Sequence, residues 1–168
     1  FQSLGEDLIK KVLVAEFEPG FINSYVGEDK IHGVLSYMEK FNFWISDIKM
    51  RGFRRIKPDL KNKLFNKLEK VFFSKCLKQS PGWAEITYVN SLSGSQLFEE
   101  RDFFLSWTFA TVLGQHGHAL DVALRADELF ENGLFAEMAS FSTRRMKIPI
   151  YLLPYYAIKK KLSRRYRE

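Results

Sequence analysis

Val12-Leu13-Val14-Ala15-Glu16-Phe17 opens the stretch that decides the fold, and Ile31, Val34, Leu35, Met38 and Phe41, followed by residues 43–50, complete it. The first six residues are mostly β-branched or apolar and predict a buried strand. Pro19 and Gly20 end that strand, and Asn23, Ser24 and Gly27 keep the next residues irregular. The five apolar positions after them fall at i, i+3, i+4, i+7 and i+10, the stripe of an amphipathic helix. Glu28 and Asp29 suit the positive end of that helix. Burying its five side chains contributes a gross ~7–15 kcal/mol, an upper bound because the unfolded chain is already partly compact. Residues 43–50 read as a second strand. Phe1, Leu4 and Leu8 share a helical face ahead of the first strand, with no capping residue before them, as in the middle of a longer chain. Helix, strand, helix, strand predicts an α/β fold with a parallel or mixed sheet covered by helices.

Farther along, Gly52 to Pro58 is a basic connector. Leu60, Leu64, Leu68, Val71 and Phe72 predict one Lys-rich amphipathic helix. Ser80-Pro81-Gly82 is a break, and residues 83–89 are a third strand. Residues 96–113 read as a helix apolar around much of its girth, and so buried between layers. A further helix over 119–132 is expected to end at Gly133, with helical structure continuing from Leu134 toward Pro149. The expected organisation is 1–57 as helix-strand-helix-strand, 58–79 as basic helix and connector, 80–133 as a second strand-helix-helix unit, and 134–168 as a helical, aromatic and basic tail.

The whole chain has 168 residues, long enough to bury a core, and its 46% hydrophobic and 27% charged content excludes wholesale disorder. Sixteen Phe predict a Phe-rich core. Cys76 is the lone cysteine, which excludes an intrachain disulfide and a Cys-based metal site, and fits a reducing, cytoplasmic setting. No run of residues is apolar enough for a membrane-crossing helix.

The net charge of +6 is segregated. Residues 49–78 hold 11 Lys/Arg against two Asp/Glu, and residues 144–168 hold nine against one, leaving the rest at −11. Either basic segment would suit an anionic partner, the acidic body of the same protein, or a solvated basic face. In the tail, Tyr151, Tyr155 and Tyr156 precede Lys159-Lys160-Lys161 and Arg164-Arg165, so residues 148–168 suit either peripheral contact with an anionic membrane or a segment docked on the body and followed by a solvated tail. Nucleic acid is not an expected partner.

Motifs that carry chemistry are few. No G-x-G-x-x-G and no G-x-x-x-x-G-K-[ST] occurs, so no phosphate cradle is expected. His116, His118 and Asp121 sit close in sequence, but in an expected turn with no further ligand-rich motif, and no metal is expected. Cys76 has no placed base, and no G-x-S-x-G occurs. The catalytic candidates are Glu16 and Glu18, which flank the end of the first strand, where open α/β sheets place their sites. Glu16 in an apolar strand needs a partner, and Arg51, Arg54 and Arg55 are the candidates for pairing with it or for contacting an anionic substrate.

Leu4-Gly5-Glu6-Asp7-Leu8-Ile9, Val14-Ala15-Glu16-Phe17-Glu18-Pro19, Tyr25-Val26-Gly27, Met38-Glu39-Lys40-Phe41 and Phe43-Trp44-Ile45-Ser46-Asp47-Ile48 together resemble the closing strands and helices of FkbM-type methyltransferases. Residues 80–90 and the helix after them resemble an extension of longer members. The resemblance implies the carboxyl-terminal portion of a doubly wound, Rossmann-like sheet. The protein would bind S-adenosylmethionine and methylate a hydroxyl of a glycan or secondary metabolite. It further implies that the cofactor-binding residues lie in a missing N-terminal half, that no residue of this chain holds the cofactor, and that this chain alone is inactive. Glu16 and Glu18 would then lie near the substrate. The alternative expectation is a non-catalytic helical interaction module or a membrane-peripheral one.

Overall fold

The computed structural model describes residues 2–22, 26–94, 98–131, 133–147, 154–155 and 157, with backbone alone at 2 and 73–76. Its sheet has the order β1-β3-β2, with β1 (Val14–Phe17) and β2 (Phe43–Phe53) on either side of β3 (Ser80–Asn90). Both ladders are antiparallel, Val14 facing Val89 on one side and Trp44 facing Val89 on the other. β1 and β2 therefore run in the same direction without touching. The expected parallel or mixed sheet is corrected on this point: no two neighbouring strands among those described are parallel. Alternating helix and strand implies that β1 and β2 share a direction, and they do; the last strand in sequence has slipped between them.

The helix α2 (Ile31–Met38) covers one face of this sheet. Met38, Ala84, Ile86 and Tyr88 are buried there, and Phe17, Ile31, Val34, Leu35 and Phe43 pack around them. The spacing of the apolar positions in α2 is the cause, since it lays them along one stripe. Phe17 meets Tyr88 edge to face at 5.8 Å between ring centres. Glu28 and Asp29 do not enter the first turn of α2; its N-cap is Lys30, which makes no side-chain cap.

At the start of the chain a 3-10 turn (Gln2–Leu4) leads through Gly5 into α1 (Glu6–Lys11). Gly5 has φ 78 and ψ 153, a region nearly closed to residues with a Cβ, so the expected continuous helix from Phe1 is interrupted there. Leu4 and Leu8 are exposed, and Ile9 is the residue of α1 that is buried. Asn90 ties α1 to the sheet. Its Nδ2 donates to the carbonyls of Lys10 and Val12 at 3.0 and 2.9 Å, and its Oδ1 accepts from the Leu92 N–H. A buried amide with three bonds satisfied is a net contributor rather than a penalty.

Between β2 and β3 the chain makes two helices, α3 (Pro58–Leu64) and α4 (Lys67–Cys76), not the single one expected. Asn66 divides them: its Oδ1 accepts from the Glu69 N–H, and the Glu69 carboxylate accepts from the Asn66 N–H, both at 2.9 Å. This reciprocal capping box starts a new helix. Ser80-Pro81-Gly82, expected as a break, belongs to β3, because an irregularity in register between Arg51/Trp83 and Gly52/Pro81 absorbs it. β3 is thus the centre of the first unit's sheet rather than the opening of a second unit.

The chain divides into Phe1–Leu97 and Phe98–Glu168. The second unit holds α5 (Glu100–Val112), α6 (His116–Phe130) and α7 (Gly133–Met146). α5 starts at a capping box between Glu99 and Asp102. It is not enclosed on all sides: Phe103, Ser106 and Ala110 are buried, while Phe104, Phe109 and Val112 are exposed. Ala119, Val122, Ala123 and Ala126 line the buried stripe of α6, small enough to let helices approach closely. Phe130 meets Phe103 edge to face at 5.5 Å and lies tilted 6.2 Å from Phe135, and Trp107 Nε1 donates to the buried Ser142 hydroxyl at 3.0 Å. Glu131, in the left-handed region, ends α6; Gly133, expected to do so, begins α7. Apart from Pro154, Tyr155 and Ala157, the tail over 148–168 lies outside the described residues.

Candidate functional site

The outer edge of β1 and the loop that follows it form the candidate site. Asn90 N–H donates to Leu13 O at 2.9 Å and Ala84 N–H to Pro19 O at 3.0 Å. In an antiparallel ladder, residues alternate between bonding toward and away from the neighbour. Leu13, Ala15, Phe17 and Pro19 therefore bond toward β3, and Val14 and Glu16 turn their N–H and C=O outward. No main-chain hydrogen bond from another described residue reaches those outward groups.

Beyond β1 the chain folds back through Gly20. Gly20 N–H donates to Asp29 O and Ile31 N–H to Gly20 O, at 3.0 and 3.1 Å. Lys30 Nζ lies 2.7 Å from the Glu28 carboxylate and donates to Ile22 O at 2.6 Å. A Cβ on Gly20 would overlap that carboxylate, so a larger residue there would displace the end of the Glu28 side chain. The closed loop fixes Asp29 beside a cleft of about 420 Å³ formed with Phe17, Val34, Tyr37 and Met38, to which Ser3 also contributes. Its walls are mixed, with one carboxylate, one hydroxyl and one phenol set among apolar side chains, groups that suit a small organic molecule. Close to this core, the Tyr88 hydroxyl is buried with no hydrogen-bond partner among the described residues. Burial, helped by the charge of Glu39, pushes its phenol above the ordinary value.

The residues singled out in the sequence are not gathered into one cluster. Glu16 and Glu18 are exposed, and the Glu16 carboxylate accepts from Thr87 Oγ1 at 3.5 Å rather than from an arginine. Arg51 is engaged elsewhere: its Nε and Nη2 donate to the two oxygens of Glu85 at 2.8 and 3.1 Å. That bidentate bond holds the Glu85 carboxyl below its ordinary range and raises the Arg51 guanidinium. Arg54 Nε donates to Leu77 O at 3.2 Å, and the Arg55 guanidinium lies 5.5 Å over the Phe53 ring. His116 and His118 belong to the first turn of α6, not to a free turn. Among the described residues no group of three or more His, Cys, Asp or Glu could hold a metal ion. Asp29, Tyr37 and Asn90 were missed by sequence reasoning. Asn90 reads as the start of a loop, and only the pairing of β3 with β1 brings it to the end of α1.

Comparisons with protein-family models, with curated proteins and with solved structures found no match to this chain. No helix among the described residues is long and apolar enough to cross a membrane.

Proposed function

We propose that the first unit closes the sheet of an S-adenosylmethionine-dependent O-methyltransferase acting on a glycan or secondary metabolite. The observation that supports this most is the strand order. β1 and β2 run in one direction, joined through α2, with β3 returning between them, and no other described strand pairs with the far edge of β1. Many doubly wound folds carry an antiparallel strand near the edge of an otherwise parallel sheet. Parallel strands added at Val14 and Glu16 by residues upstream of Phe1 would complete such a sheet. Ligands of open α/β sheets bind beyond the carboxyl ends of the strands, which for β1 is the end carrying Glu16, Glu18 and the cleft at Phe17.

The described residues do not themselves suit the cofactor. They have no glycine-rich strand-to-helix turn, and the cleft offers a single carboxylate. The cofactor therefore belongs with the added strands, and Glu16 and Glu18 with the substrate. Titration calorimetry with S-adenosylmethionine tests this. A chain extended upstream in frame is expected to bind it, and the 168-residue chain is not. Methyl transfer by the 168-residue chain alone, or no binding by the extended chain, would overturn the reading.

A second reading, a non-catalytic helical interaction module, is favoured by the second unit. There an open groove of about 880 Å³ runs along α6 and α7, lined in part by Leu120, Leu124, Ala136 and Ala139. Under that reading neither form binds the cofactor.

A further inference from the structure

We infer that α3 and α4 dock on the surface of an anionic membrane. The described side chains of the two helices are not buried: α3 has no buried residue, and none of those from Lys67 to Phe72 in α4 is buried. Leu60 and Leu64 on α3 are 47% and 61% exposed, and Leu68 and Phe72 on α4 are 74% and 64% exposed. Each pair is spaced i, i+4, so each helix presents its apolar side chains along one stripe. A surface helix normally turns such a stripe to the core. Here the stripes face solvent, which marks an interaction surface.

The charge around those stripes selects the partner. Between Lys57 and Lys78 there are seven Lys against one Asp and one Glu, and the carboxylate of Glu69 is held in the capping box at Asn66. Protein–protein interfaces are depleted in lysine. Apolar side chains interleaved with lysines instead suit a surface where rings and aliphatic groups enter the acyl boundary while ammonium groups meet lipid phosphates. Neither signal suffices alone, since firm anchoring takes both apolar insertion and a basic patch. The position of the helices serves the same end. Phe53 pairs with Ser80, and Arg54 bonds Leu77 O, so residues 54–79 leave the sheet as a closed excursion. That excursion emerges at the carboxyl end of β2, the end that β1 marks with Glu16 and Glu18. The inference does not depend on the methyltransferase reading.

Co-sedimentation of the 168-residue chain with vesicles tests it, using phosphatidylcholine alone and phosphatidylcholine mixed with phosphatidylserine. Wild type is expected in the pellet with the mixed vesicles, less so at high salt, and largely in the supernatant with phosphatidylcholine alone. A Leu68→Ser, Phe72→Ser double variant changes exposed side chains only, and circular dichroism checks that it stays folded. It is expected to bind the mixed vesicles at least about tenfold more weakly. A loss of less than about twofold would overturn the inference and move membrane contact to residues 148–168. Wild type remaining in the supernatant with mixed vesicles would overturn it also, and a dimer seen by light scattering in that case would assign the stripes to a second copy.

Discussion

β2 is an edge strand of 11 residues that carries Asp47, Lys49 and Arg51 and departs from even register at two places, whereas β1, at the other edge, has four residues in unbroken register with β3. Charges and bulges are what proteins use to keep an edge from pairing with another strand. β2 has both. β1 has no bulge, and its one charged residue, the exposed Glu16, accepts a hydrogen bond from Thr87. The difference fits the proposal that β2 ends the sheet while further strands join it at β1. Their partner β3 is common to both, so the contrast is not an effect of the strand in the middle.

Proline substitution in β1 should break the comparison most visibly. Ala15→Pro removes the N–H that bonds toward β3 and leaves the Tyr88 carbonyl without it, an expected loss on the order of 3 kcal/mol in urea unfolding. At the guarded edge, Gly52→Ala should cost about 2 kcal/mol. Its Cβ would overlap the Ser80 carbonyl oxygen, so the end of the β2–β3 ladder must separate. Val14→Pro removes an outward N–H, and proline is tolerated there on an open edge. Its expected cost in the 168-residue chain is about 1 kcal/mol or less. In an upstream-extended chain the same substitution should abolish S-adenosylmethionine binding. Equal losses for Ala15→Pro and Val14→Pro would refute the assignment of inward and outward groups.

The smallest effect is expected from the ion pair that guards β2. Glu85→Gln should barely change unfolding near neutral pH, because Arg51 is exposed and Glu85 only partly covered, and such surface pairs contribute little. Arg51 lowers the folded-state value of Glu85. The carboxylate therefore contributes its stability above the ordinary range and loses it as pH falls through the folded value. The variant should flatten that acid limb, and an unchanged limb would mean the pair is not formed in solution.

Much of the first unit was legible in the sequence wherever one periodicity prevailed. Val14 to Phe17, the stripe of Ile31, Val34, Leu35 and Met38, and the strand from Phe43 all stand where their spacing put them. What could not be read was pairing. Nothing local to residues 80–90 says that β3 enters between β1 and β2, and Pro81-Gly82 argues for a break until the register shift beside it is seen. Local capping chemistry was legible but overlooked: Asn66-x-x-Glu69 carries its own start signal, and the leucine spacing hid it. The site suffered more. The partner of Arg51 is Glu85 because Lys49 faces Glu85 and Arg51 faces Trp83 across the ladder, a matter of register that composition does not encode. Glu16 was expected to seek an arginine, yet an exposed carboxylate on an edge strand has water and needs none.

Amide hydrogen exchange at β1 tests the central claim most directly. In the 168-residue chain the Ala15 amide should be protected by its bond to β3, and the Val14 and Glu16 amides should exchange quickly. In the upstream-extended chain all three should be slow, the outward pair having gained a neighbouring strand. Outward amides that still exchange quickly in the extended chain, or that are already slow in the 168-residue chain, would contradict the claim that β1 is an edge made to be continued.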